Sequence, residues 1–146
     1  MKRRAMKLRY AAVSAVTAAA LAAGGGIAAA ASHAPTGKLV YTATDSKMIT
    51  YSRSTGASNG LLTQSGKLTG FFELSFKFTK TSGTADLAAD IRGGLLYAVL
   101  HLNSKNNNAA GPITGGTGKY AGAKGTVVAK ATGKHTHLVT ITFSGG

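Results

Sequence analysis

Ile113-Thr114-Gly115-Gly116-Thr117-Gly118-Lys119-Tyr120-Ala121-Gly122-Ala123-Lys124-Gly125-Thr126-Val127 is the stretch on which the fold turns. Five glycines fall between Gly115 and Gly125, and in a helix each would cost about 1 kcal/mol relative to alanine. They suit a turn or bulge, where the backbone needs positive φ or must pass close to another strand. Val127-Val128-Ala129 then reads as a strand leaving that turn. Two nucleotide-binding readings fail. Gly116-x-Gly118-x-x-Ala121 lacks a following helix, and no Asp or Glu occurs after Asp90 to hold a ribose. A phosphate-cradling loop would need Ser or Thr where Tyr120 stands and Gly where Ile113 stands.

Outward from this motif the chain alternates with period two, as half-buried strands require. In Leu68 to Phe78, residues Phe72, Leu74, Phe76 and Phe78 share one face and Phe71, Glu73, Ser75 and Lys77 the other. Leu39–Thr44 and Met48–Arg53 read as two earlier strands separated by a turn at Asp45-Ser46. Ala85–Arg92 alternates Ala85, Leu87, Ala89 and Ile91 against Asp86, Ala88, Asp90 and Arg92, with a helical alternative left open by its alanines. Leu95–Asn103 is apolar on both faces and should be covered on both. Val139–Phe143 is the last strand. Polar or glycine-rich breaks fall at Ser54–Gly60, Thr79–Thr84, Lys105–Pro112 and Thr132–Lys134. The pattern predicts an all-β antiparallel sandwich or barrel.

The glycine stretch resembles the GGTG-x-[FY]-x-x-A-[RK]-G signature of the allene oxide cyclase/dirigent superfamily. The matching residues are Gly115, Gly116, Gly118, Tyr120, Ala123, Lys124 and Gly125, and the ending Thr140-Ile141-Thr142-Phe143 is similar to that of secreted bacterial members. The specific match covers about fifteen residues. The resemblance implies a small antiparallel eight-stranded β-barrel, often trimeric, that binds apolar or phenolic small molecules in its lumen. It also implies chemistry without metal or organic cofactor: a cyclase or isomerase, or a dirigent-like orienting protein. The family's pocket residues lie outside the signature, so no catalytic residue transfers.

Lys2, Arg3, Arg4, Lys7 and Arg9 precede an apolar tract, Ala11–Ala31, that ends in small residues. This is the layout of a secretory signal, with cleavage after Ala31 or Ala34. The expected organisation is a signal peptide over 1–34 and one barrel domain over 35–146, secreted and with no stable membrane span after processing. The chain has no cysteine, which rules out a lipidated cysteine and disulfide staples, so packing and closure must hold the domain. Of 17 lysines and arginines against 4 acids, five bases lie in the leader; the remainder are scattered. Such a field favours anionic neighbours, including a cell-envelope polymer. Specific nucleic-acid binding is not expected, because no basic stripe or stacking platform is readable.

Candidate chemistry is sparse. Asp86, Asp90 and Glu73 read as solvated groups on outer faces, and Asp45 as a turn residue. His135 and His137 could point from one face of a strand, but a metal site needs a third ligand, and none is near; no metal site is expected. Tyr97, His101 and Asn103 share one face of the doubly apolar strand. If that face is luminal, they are the polar groups that orient a ligand in an apolar pocket; otherwise they face an oligomer contact or water. The leading expectation is therefore a ligand-binding barrel, enzyme or carrier. The alternative is a basic envelope-associated structural barrel whose lumen is filled by side chains.

Overall fold

A computed structural model describes residues 34–144, and the proposed signal segment lies outside them. Eight strands form one closed antiparallel barrel, each paired with its sequence neighbours: β1 (Gly37–Thr50), β2 (Thr55–Gln64), β3 (Lys67–Phe78), β4 (Gly83–Ile91), β5 (Gly94–Asn103), β6 (Asn108–Gly116), β7 (Gly125–Gly133) and β8 (Thr136–Phe143). Closure is made by β1, which pairs Thr42 with Thr63 of β2 on one side and with Leu138 of β8 on the other. The fold expected from the alternation and from the glycine motif is the fold observed.

Three strands run further than the sequence indicates. Asp45-Ser46 is not a turn: β1 continues through it, and the register steps there because Ser46 is an extra residue, a bulge that bends the strand without ending it. Nor is Ser54–Gly60 a break. Thr55 onward is strand, and its inward residues, Gly56, Ser58 and Gly60, lie opposite Phe76, Leu74 and Phe72 of β3. The small residues are there for space. A Cβ on Gly56 would come within 2.5 Å of the Phe76 ring, and one on Gly60 within 2.6 Å of the Phe72 ring. Similarly, β6 starts inside the expected Lys105–Pro112 loop. Pro112 pairs with Thr126 of β7 but falls where the β5 ladder is interrupted, so its missing N–H costs no bond there.

The glycine motif closes one end of the barrel. After β6 the chain makes a single 3-10 turn, Gly118–Tyr120, which carries the Tyr120 ring into the interior, 1% exposed. Gly118 sits at φ 57°, and a Cβ there would meet the Gly93 carbonyl oxygen at 2.2 Å. Only glycine allows this approach to the β4–β5 turn. Tyr120 stacks on Phe143 with centroids 5.9 Å apart and an interplanar angle of 16°, beside the fully buried Ile91, Leu96, Val127 and Ile141. Its hydroxyl is buried without a hydrogen-bond partner.

That geometry separates the ring from the hydroxyl. Tyr120→Ala should lower unfolding free energy by about 3–5 kcal/mol, as for other large aromatic truncations in a core. Tyr120→Phe should leave it unchanged or raise it by about 1 kcal/mol, because the deleted group is unsatisfied. Chemical denaturation of both variants checks this; a clear loss for Tyr120→Phe would show that the hydroxyl is bonded.

Candidate functional site

Above the Tyr120 plug the barrel is hollow. A cavity of about 440 Å³ fills the other half of the lumen and opens between the β1–β2, β3–β4, β5–β6 and β7–β8 loops. Its position follows from side-chain size. In the closed half the inward residues are Ile91, Leu96, Ile113, Tyr120 and Val127, which fill the space. In the open half Ala43, Ser58, Ala89 and Ala109 alternate with the larger residues and leave it unfilled. One wall is the alternating face of β3, with Phe72, Leu74, Phe76 and Phe78 all lining the cavity. Leu87, Leu100, Leu102, Val139 and Ile141 complete an apolar belt.

Polar groups occur at three levels. Deepest is Tyr41, buried on β1 and lining the cavity. Its phenol is pushed up to about 12, first by burial and then by the neighbouring Tyr120 phenol; the two hydroxyls lie near one another without a well-formed hydrogen bond. Tyr41 is thus a neutral donor at physiological pH. Higher up, Asp45 Oδ1 accepts a 2.7 Å hydrogen bond from the Ser58 hydroxyl, across the β1–β2 pair. Both residues line the lumen. At the mouth His137 Nε2 lies 3.1 Å from the Asn107 carbonyl oxygen. A carbonyl can only accept, so Nε2 carries the hydrogen and the Nδ1 of a neutral ring keeps its lone pair. Arg53, Lys134, Asn103 and Asn108 complete the rim. Asn108 also braces the mouth, its Oδ1 accepting from the Ala131 N–H at 2.9 Å.

The sequence-derived candidates are divided by the barrel wall. Asn103 lies at the mouth, where its Oδ1 caps the Lys105 N–H at 2.9 Å. Tyr97 and His101 do not join it in the lumen. Tyr97 is on the outer face, 37% exposed, over a shallow dent it shares with Glu73 and Asp86. His101 is exposed and does not line the lumen. Cross-strand partners share a face, and β4 has an unambiguous one: Ala85, Leu87 and Ala89 point in, so their partners Leu100, Ala98 and Leu96 do too. Tyr97 and His101, opposite Ala88 and Thr84, are carried outward.

Asp45 and His137 both line the lumen, a role that the sequence does not indicate for either. Locally Asp45-Ser46 reads as a turn, and the signal against it is Asp45's place two residues after the inward Ala43 on a continuing strand. His137 was paired with His135, but His135 sits in the exposed β7–β8 turn, where its carbonyl accepts from the Asp45 N–H at 2.9 Å. Among the described residues no group of three His, Asp or Glu side chains converges on a point. Glu73, Asp86 and Asp90 are exposed on the outside, as their faces indicate. The signature residues Gly115, Gly116, Gly118, Tyr120, Ala123, Lys124 and Gly125 belong to the closed end, away from the cavity.

The raised Tyr41 pKa gives a signed pH dependence. The unfolded phenol ionises near its ordinary 10 while the folded one resists to about 12, so the stabilisation is complete below pH 10 and is lost as pH rises towards 12. Unfolding free energies measured across that window should fall more steeply for the wild-type chain than for Tyr41→Phe. Parallel slopes would place Tyr41 in contact with solvent.

No family model matches the chain, and no curated protein does. Among solved structures the barrel is similar to pyocyanin demethylase, with a TM-score of 0.65 over 73% of this chain and 99% of that one. The two share 16% sequence identity, a likeness of fold alone.

Proposed function

We propose that the barrel binds an apolar or phenolic small molecule in its lumen. The observation that carries this is the coexistence of a plugged end and an open, apolar-walled cavity in the same barrel: about 440 Å³ lies within the range of ligand sites. A structural barrel adhering to the envelope through its charge would have no use for such a space. The fold neighbour is named for acting on a small molecule, pyocyanin, which is in keeping with this reading. So is the resemblance of the glycine motif to the allene oxide cyclase/dirigent superfamily. The apolar belt would hold the ligand's body, Tyr41 would donate to an oxygen at its deep end, and Asp45, His137 and Asn103 would orient its outer end.

Turnover, on this reading, needs no cofactor. Confining a reactive molecule in one conformer lowers the entropic part of a cyclisation or isomerisation barrier. Asp45 and the free Nδ1 of His137 are the groups placed to move a proton. Secretion, implied by the Lys2–Ala31 pattern, would put the barrel outside the cell.

Binding of 1-naphthol, an apolar phenol, is the test. The described barrel should bind it at one site; Leu87→Trp, which pushes an indole into the lumen, should weaken binding at least about tenfold, the loss of roughly 1.4 kcal/mol. Tyr97→Ala and His101→Ala, on the outer face, should not change it. Circular dichroism confirms that each variant is folded. Binding that survives Leu87→Trp in a folded barrel, or disappears with Tyr97→Ala, overturns the luminal site.

A further inference from the structure

We infer that the open end of the barrel docks on an anionic lipid surface, so that the mouth faces the bilayer from which an apolar ligand would enter. The four loops around the mouth are Tyr51–Ser54, Thr79–Ser82, Ser104–Asn107 and Lys134-His135. Each carries one base, Arg53, Lys80, Lys105 and Lys134 in turn, and none carries an acid. A ring of bases at one level is the arrangement that a plane of negative charge attracts, each base adding to the attraction near the surface.

Charge alone would not choose this end, since Lys67, Arg92, Lys119 and Lys124 flank the closed one. The closed end has exposed apolar side chains too, Leu68 at 56% and Phe71 at 52%, but both lie within β3; the mouth differs in carrying an exposed aromatic, Tyr51, in a loop beside a base, Arg53. Tyr51 is 70% exposed and Met48 58%, with Ile49 and Phe78 beside the same rim. An aromatic ring with a polar tip, next to bases, belongs at the headgroup level of a membrane. The platform is also built to hold its shape. The Ser52 hydroxyl accepts from the Ser54 and Thr55 N–H groups at 3.2 and 3.1 Å. The Phe78 N–H donates to the Ser54 carbonyl, tying the β1–β2 loop to β3 at 2.6 Å. The Thr79 hydroxyl donates to the Ser82 carbonyl at 3.0 Å. Tyr51 and Arg53 are therefore presented by a braced turn, without a covering segment among the described residues.

The purpose of the docking rests on the luminal site proposed above, but the two are read by different probes and can fail separately. The test is co-sedimentation of residues 34–146, which contain every strand of the closed barrel, with vesicles of phosphatidylcholine with and without phosphatidylglycerol. Partitioning should require phosphatidylglycerol. Lys80→Ala with Lys105→Ala, neither of which lines the cavity, should lower it about twentyfold, and Tyr51→Ser severalfold, both with 1-naphthol binding unchanged. Lys67→Ala with Arg92→Ala at the closed end should change it less than about threefold. Absence of binding to anionic vesicles overturns the inference. So does an equal loss from the closed-end pair, or indifference to Tyr51→Ser, since either would reduce the interaction to diffuse charge. Equal binding to soluble polyglutamate would assign the ring to an acidic polymer instead and overturn the lipid surface.

Discussion

The structure depends on closure of β1 against both β2 and β8. Once the Thr42 level is paired on two sides, no strand has a free edge, and every inward side chain is committed to one enclosed volume. An eight-stranded barrel is near the size at which side chains can either fill the interior or leave room for one small ligand. Residue size then decides between these along the axis. Tyr120, Leu96, Val127 and Ile91 occupy the end reached by the glycine motif. Towards the other end, Gly56, Ser58 and Gly60 stand opposite Phe76, Leu74 and Phe72. There the rings lie over the bare backbone of β2, stabilising a strand that glycine would otherwise weaken, and the axis stays open.

Much of this is legible in the residues. The β3 alternation of Phe72, Leu74, Phe76 and Phe78 declares both strand and wall, and the glycine motif declares the reversal that carries Tyr120. What alternation cannot show is a strand whose inward positions are glycine and serine, because hydrophobicity is then silent and only the partner reveals the pattern. β2 was hidden for that reason. A strand with leucine on both faces is likewise silent about which is which. Leu95–Asn103 acquires its orientation from β4, where Asp86 and Asp90 mark the outside. Tyr97 and His101, on a face the sequence leaves open as luminal or outward, therefore lie outside, while Asn103 reaches the mouth as the strand ends. Asp45 was obscured by a bulge that reads locally as a turn.

The polar groups of the lumen are few and graded, a pattern that orients a ligand without making the cavity hydrophilic. The neutral Tyr41 phenol lies deepest, the Asp45–Ser58 pair above it, and His137 at the rim. Each of the four loops at the mouth carries one base, and three of the four acids of the chain lie on the outer wall. A single barrel thereby carries a sealed end, an apolar chamber and a charged opening, and the proposed binding and docking roles both follow from that polarity.

Xenon, which enters apolar cavities of this kind without needing a polar partner, reports the division of the interior most directly. In methyl-resolved NMR of the labelled barrel, dissolved xenon should shift the methyl signals of Leu74, Leu87, Leu100 and Leu102, around the chamber, and leave those of Ile91, Leu96 and Val127 beside Tyr120 unmoved. Shifts spread evenly over both groups, or absent from the first, would contradict a hollow half bounded by a packed one.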